Sequence, residues 1–304
     1  MSPLQFSPYL HLIRLPNIFT VPSNVMVGYL ALQSGPASQL AGLIASSVLL
    51  YVSGIVFNDF FDFEHDRKNR PNRPLPSGRI SKRNALAIAI LTMSVGNAIA
   101  VATAGLAALF VTLSLSAIIL AYDYRLKSYE VAGTAAMAGA RSLNVVLGAP
   151  PALLVLLSFS AGGFISEYGL QTLAVAATSI FLFIVSIMIL SRTEERGASG
   201  TRKRISLGII IATIAYVALA GYLIGWQYWF ILTLGLFACV VALTFRRHYL
   251  QSAESTQKII RNLVLSLIIL DSVFITASAG IVYGLATLLL LVPALALARK
   301  MYVT

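Results

Sequence analysis

Charge is scarce in this chain of 304 residues: 11% are charged and 58% hydrophobic. A soluble protein of this size does not need so many apolar runs of about 20 residues, the length that crosses a hydrocarbon core of about 30 Å. Cysteine is nearly absent. The single Cys239 excludes an internal disulfide and, inside an apolar run, reads as a small buried residue. Histidine is equally sparse: His11, His65 and His248 are scattered and share no metal-binding face. Arg14-Leu-Pro-Asn17 interrupts the first apolar stretch and no small-residue cleavage site follows a basic start, so no signal peptide is expected. Acidic residues number 11 against 22 basic ones, a net charge of +11 that invites a nucleic-acid reading.

The placement of the charges argues against that reading. The apolar runs fall at 18–32, 39–57, 84–103, 105–121, 131–157, 170–190, 205–224, 228–245, 259–279 and 281–298. Arg14 falls on one side of the membrane with the loops 58–83, 122–130, 191–204 and 246–258, whereas the opposite loops carry no Lys or Arg. Of the 22 basic residues only Arg141 departs from this pattern. Such an asymmetry places the charged loops in the cytoplasm and needs no nucleic acid to explain it, though anionic lipid would favour it too. The expected fold is all-α: a polytopic membrane helical bundle of nine transmembrane helices, or ten if the last apolar block crosses twice. It would form a single integral membrane domain over residues 1–304. No internal repeat of fixed period stands out.

Against this background the stretch FNDFFDFEHDRKNRPNRPLPSGRIS, 57–81, is crowded with charge. Asp59, Asp62 and Asp66 stand at i, i+3 and i+7, one face of a helix continuing from the second span. Three like charges repel, and at a helix C-terminus the dipole disfavours them further, so a cation is expected there. Hard oxygen ligands without His or Cys suit Mg2+, which is held by one or two carboxylates with substrate phosphates and water. Asn58 adds an amide beside them. The prolines at 71, 74 and 76 stop any helix, and the arginines between them, Arg70, Arg73 and Arg79, suit phosphate oxygens. The plain alternative is a solvated, salt-bridged helix end.

The order Asn58-Asp59-Phe60-Phe61-Asp62-Phe63-Glu64-His65-Asp66, followed by Arg70-Pro71-Asn72-Arg73-Pro74-Leu75-Pro76-Ser77-Gly78, resembles the first aspartate-rich motif of the UbiA superfamily of intramembrane prenyltransferases. The similarity includes its position after the second span, and with the number of spans it extends over nearly the whole chain. The resemblance implies a helical bundle around a lipid-open cavity that binds a polyprenyl diphosphate through Mg2+. The prenyl group would pass to an aromatic or other lipophilic acceptor. Tyr122-Asp123-Tyr124-Arg125-Leu126-Lys127 is similar to the family's tyrosine-lysine segment, which makes Arg125 and Lys127 diphosphate ligands and places Tyr122 at the substrate. The aromatics Phe60, Phe61, Phe63, Tyr122, Tyr124 and Tyr129 gather near the same mouth, as isoprenoid guides or as interfacial anchors.

The chain departs from the family where a second aspartate pair is usual: after the sixth span it has LSRTEERGASG, with Glu194 and Glu195 adjacent. Neighbours on a helix point about 100° apart and need not share one ion, although either could act from a loop. This loop, with the segment Arg141-Ser-Leu-Asn144, resembles the EboC-like branch of the superfamily. By helical rise Arg141 lies about 16 Å past Glu130 and Asp271 about 15 Å past Arg261. A buried Arg141–Asp271 ion pair and a chamber floor formed by Arg141 and Asn144 are both compatible with that depth. Two other functions compete. A UbiA-type terpene cyclase would need no acceptor, and a non-catalytic lipid-binding or transport scaffold would have no physical reason to assemble the acidic motif. Prenyl length, acceptor and oligomeric state have no signature in the sequence.

Overall fold

The computed structural model describes residues 8–32, 35–150, 166–192, 198–248 and 252–298, and every regular element among them is helical. In chain order these are α1 (Pro8–Leu12), α2 (Leu15–Ile18), α3 (Thr20–Leu32), α4 (Ala37–Phe61), α5 (Phe63–Asn69), α6 (Lys82–Tyr124), a 3-10 turn (Leu126–Ser128) and α7 (Glu130–Leu147). They continue as α8 (Glu167–Ser191), α9 (Gly200–Ile224), α10 (Phe230–Arg247), α11 (Ala253–Ala279), α12 (Ile281–Leu288) and α13 (Leu291–Ala298).

Eight helical stretches among the described residues are long and apolar enough to cross a membrane. That tally takes α6 once, although it is two helices joined at Ala104 and Gly105, and it omits α7, whose apolar run carries Arg141 and Asn144. The tally of eight therefore does not by itself confirm a count of nine or ten. The breaks expected near 104 and 280 are both glycine turns: Gly105 has φ 72° and Gly280 has φ 95°, the left-handed region that only glycine enters freely.

Helix starts follow the serines. Ser81, Ser166, Ser199 and Ser252 each accept a backbone N–H three residues on, which satisfies donors that a helix leaves orphaned. The centre of the bundle is α11. Its residues Leu265 to Ala277 are all buried, packed against α3, α8, α10 and α12. The outer helices α9, α10, α12 and α13 bury one side and turn Leu, Ile, Val and Tyr outward, where lipid is the apolar partner. Cys239, expected to be buried, lies on such a face of α10 and is exposed. An apolar residue in a membrane has no need of a protein core, so its hydropathy did not report its orientation.

α3, α4, α6 and α7 form the half of the bundle that carries the polar residues, and α3 and α7 approach at backbone distance. A Cβ placed on Gly28 would lie 2.0 Å from the carbonyl oxygen of Val145, and one on Gly148 would lie 2.0 Å from that of Val25. Small residues at such contacts let transmembrane helices touch closely. Gly28→Leu is expected to wedge α3 from α7 at a cost of about 1–3 kcal/mol. Thermal unfolding of the detergent-solubilised protein should show a clearly lower Tm. An unchanged Tm would mean the two backbones are not held together.

Candidate active site

α4 ends at Phe61, and Asp62 (φ −84°, ψ 4°) joins it to α5. The bend changes the expected carboxylate triplet. Asp59 and Asp66 are buried, at 4% and 1% exposure, and converge on one guanidinium: Arg73 Nη1 donates to Asp66 Oδ2 at 2.6 Å and approaches Asp59 Oδ1 at 3.4 Å. Arg14 Nη2 reaches the same Asp59 oxygen at 3.4 Å. Asp62 turns instead to Lys127, whose Nζ donates to Oδ1 at 2.6 Å. The three aspartates thus do not form one ligand set, and no group of three or more His, Cys, Asp or Glu placed to hold a metal occurs among the described residues. The cause is the break at Asp62, where the sequence pattern assumed a continuous helix. The donor chemistry still fits Mg2+. Two buried carboxylates already share one cation, and Mg2+ takes one or two carboxylates and completes its shell with phosphate and water.

Two cavities adjoin this point. One, of about 450 Å3, is lined by His11, Arg14, Asp59, Arg70, Arg73 and Arg79 with the turn from Asn69 to Pro74. Four arginines against one carboxylate make it receptive to a multiply charged anion. These arginines have protein partners as well: Arg14 and Arg73 as above, and Arg79, whose Nε donates to Ser77 Oγ at 2.9 Å and whose Nη2 donates to the Asn72 carbonyl. The other cavity, of about 250 Å3, is mostly apolar, with walls from α4 (Leu50, Tyr51, Gly54, Ile55), α6 (Leu115, Ile118, Ile119) and α7 (Ala136, Met137, Ala140). Its few polar groups are Arg14, Ser47, Asn58, Tyr122, Asp123, Arg141 and Asn144. Arg14 borders both cavities.

Arg141 and Asn144 therefore line the apolar cavity. The anticipated ion pair is replaced by a relay. Arg141 Nη1 donates to Thr20 Oγ1 at 3.3 Å and Asn24 Oδ1 at 3.4 Å, and Asn24 Nδ2 donates to both Asp271 oxygens, at 2.9 and 2.8 Å. The Arg141 guanidinium also stands 5.5 Å over the Tyr51 ring. Ser47 Oγ donates to Asn144 Oδ1, and Asn144 Nδ2 to the Val21 carbonyl at 3.3 Å.

Of the remaining residues singled out in the sequence, Asn58 and Tyr122 line the apolar cavity, and Arg125 is exposed and borders neither cavity. Glu194 and Glu195 lie outside the described residues. Within the aromatic group only Tyr122 reaches the apolar cavity. Phe61 packs on Phe57, Phe60 and Tyr124, and Lys82 sits over the Phe63 ring at 3.9 Å. Sequence reasoning missed Arg14, Asn24, Tyr51 and Asp123 as site residues. Arg14 had a signal, an arginine beside Pro16 within an apolar start. Its φ of 45°, the one left-handed non-glycine among the described residues, turns the chain between α1 and α2 there. Asp123 stood inside the quoted tyrosine-lysine segment, an acid at the end of an apolar span.

Comparison with known proteins agrees with this architecture. The UbiA prenyltransferase family pattern matches residues 21–268, and the chain belongs to that family. Among curated relatives, the digeranylgeranylglyceryl phosphate synthase of Metallosphaera sedula is 31% identical over 144 residues, 47% of this chain and 50% of that one. The synthase of the same name from Methanocaldococcus jannaschii is 38% identical over 90 residues, 29% and 32% of the two chains. The chain thus spans about half the length, or less, of these relatives. A UbiA homolog from Aeropyrum pernix K1 superposes with TM-score 0.66 at 17% identity, covering 88% of this chain and 98% of that one. A UbiA homolog from Archaeoglobus fulgidus bound to DMAPP and Mg2+ gives TM-score 0.51 at 17% identity, with 92% and 99% covered. At these identities the neighbours establish the fold. The chain is an integral membrane protein of the UbiA fold.

The relay separates two roles by mutation. Asp271→Asn sets a second N–H donor against Asn24 in a fully buried place and is expected to cost about 1–3 kcal/mol, lowering Tm. Arg141→Ala removes only long contacts and enlarges the cavity, so its Tm should fall less. Fluorescence-detected unfolding of both variants checks this; an equal loss would make Arg141 as structural as Asp271.

Proposed function

We propose that the chain is a Mg2+-dependent intramembrane prenyltransferase that ionises a polyprenyl diphosphate and transfers the prenyl group to a lipophilic acceptor. The observation that carries the reading is the pairing of an arginine-rich cavity with an apolar one across Asn58, Asp59 and Arg14. An amphiphile with a doubly charged head and a hydrocarbon tail matches that pair of surfaces. Arg14, Arg70, Arg73 and Arg79 would hold the diphosphate oxygens, and Lys127 would neutralise the leaving group from the side of Asp62. Asp59 and Asp66, with Asp62 beside them, would hold Mg2+, which supplies charge stabilisation to the departing diphosphate. Leu50, Ile55, Leu115 and Ile118 would keep water from the allylic cation, and Tyr51 and Tyr122, which line the same cavity, would offer it electron-rich rings. Arg141 and Asn144 would orient the acceptor at the far end.

Transfer is favoured over cyclisation because the relatives are named for joining a prenyl group to a second molecule, as in digeranylgeranylglyceryl phosphate synthase. A glyceryl phosphate acceptor follows from that name and makes a suitable first probe. Residues 1–304 would act as one membrane domain, with the charged loops on the cytoplasmic side by the positive-inside asymmetry, and with Glu194 or Glu195 reaching the same mouth.

Mass spectrometry of products after supplying C10 to C20 prenyl diphosphates, with and without membrane lipid extract, tests the reading. A prenylated product that needs the extract and disappears with EDTA is expected. Asp62→Asn should remain folded and lose turnover by about 100-fold or more, since it removes a carboxylate beside the Mg2+ and the partner that holds Lys127 in place. Hydrocarbon or terpene alcohol released without extract would point to cyclisation, and turnover untouched by EDTA would remove the metal from the account.

A further inference from the structure

We infer that Asp123 is the catalytic base that accepts the proton released when the acceptor is prenylated, a role that rests on the transfer reaction proposed above. Prenyl transfer leaves one proton to place. The allylic C–O bond breaks with its electron pair on the diphosphate, and the acceptor's nucleophilic atom, a hydroxyl oxygen or an aromatic carbon, gives a pair to the allylic carbon. That atom must then lose its hydrogen as H+. In a cavity walled by Leu50, Ile55, Leu115, Ile118 and Ile119 the proton needs a basic side chain at the reacting end.

Asp123 is the one carboxylate among the residues lining the apolar cavity. It is 3% exposed and sits at the end of α6. Asn58 Nδ2 donates to its Oδ1 at 2.9 Å and is its one hydrogen-bond partner among the described residues, so the second oxygen keeps its capacity to take a proton. Asn58 directly precedes Asp59, which places the base next to the point where the diphosphate leaves. The charged groups within electrostatic reach are Lys127, Asp62 and Arg14. Lys127 and Asp62 are already paired with each other at 2.6 Å, and Arg14 points to Asp59. None of them competes for Asp123. A carboxylate buried only to receive one amide hydrogen bond from Asn58 would be an expensive structural device, because a neutral Asn or Ser could serve as well.

The test follows transfer and donor binding separately. With geranylgeranyl diphosphate and membrane lipid extract, Asp123→Asn, whose amide oxygen can still accept from Asn58, should lower the transfer rate by about 100-fold or more. Affinity for the unreactive geranylgeranyl thiolodiphosphate, measured by titration calorimetry, should stay within about twofold of wild type. Asp123→Ala should regain at least about tenfold of its lost transfer rate when formate is supplied as a diffusible base. Near-wild-type transfer by the Asn variant would overturn the inference, as would a fall in analogue affinity that parallels the loss of transfer, or the absence of any formate effect. A wild-type chain that binds the analogue and prenylates nothing in the extract would overturn the transfer reaction itself, and the role of Asp123 with it.

Discussion

A single guanidinium between two buried carboxylates holds the mouth of this bundle together. Asp59 and Asp66 are nearly inaccessible, and an unpaired buried carboxylate costs several kcal/mol. Arg73 meets both, and the chain that delivers it is shaped for the purpose. Pro71, Pro74 and Pro76 prevent a helix after Asn69, and Gly78 takes φ 75°, so the strip folds back instead of running into solvent. Leu75 and Ile80, each 2% exposed, pin the returning strip against Val56, Phe57, Ala85 and Ala89. Apolar anchoring thus fixes an arginine whose charge the buried acids require. The same arrangement is suited to exchange, since a cation held by two carboxylates can be traded for another when a phosphate arrives to receive the arginine.

Deeper in the membrane the same rule takes a different form. Arg141 and Asp271 lie at comparable depth, yet Asn24 stands between them and satisfies both, accepting from the arginine and donating twice to the carboxylate. A direct ion pair would have locked Arg141 onto α11 and away from the cavity. The relay leaves its guanidinium over Tyr51 at the cavity wall, with the counter-charge one residue removed. Stability and availability are thereby divided between two residues: the carboxylate is fully enclosed, and the arginine is not.

Much of this was legible in the sequence because it depends on residue type and order. The apolar runs locate the helices, Gly105 and Gly280 mark the breaks, and the Asn58–Asp66 motif with its proline-arginine tail marks the mouth. Arg70, Arg73 and Arg79 were expected to share a phosphate site, and they line one cavity together. The failures come from geometry that spacing cannot encode. The i, i+3, i+7 rule presumes an unbroken helix, and the turn at Asp62 hands that residue to Lys127. Tyr51, Asn24 and Ser47 are ordinary members of apolar spans until the packing of α3, α4 and α7 decides which of their faces is inside. Cys239 failed for the converse reason, since in a membrane helix the outside is apolar as well. Asp123 was read past because its neighbours Tyr122 and Lys127 already had a family role.

The placement of Asn58 and Asp59 shows how the two cavities can work as one. They are consecutive residues on α4, about 100° apart around its axis. Asn58 consequently faces the apolar cavity and holds Asp123, while Asp59 faces the arginine-rich cavity and meets Arg14 and Arg73. The wall between a charged head and a hydrocarbon tail is therefore no thicker than one turn of helix. In the proposed reaction a bond broken on one side would leave its carbon on the other, within reach of groups fixed to the same backbone. For such a reaction the angle between adjacent helical residues would set the leaving group beside the acceptor without a domain movement.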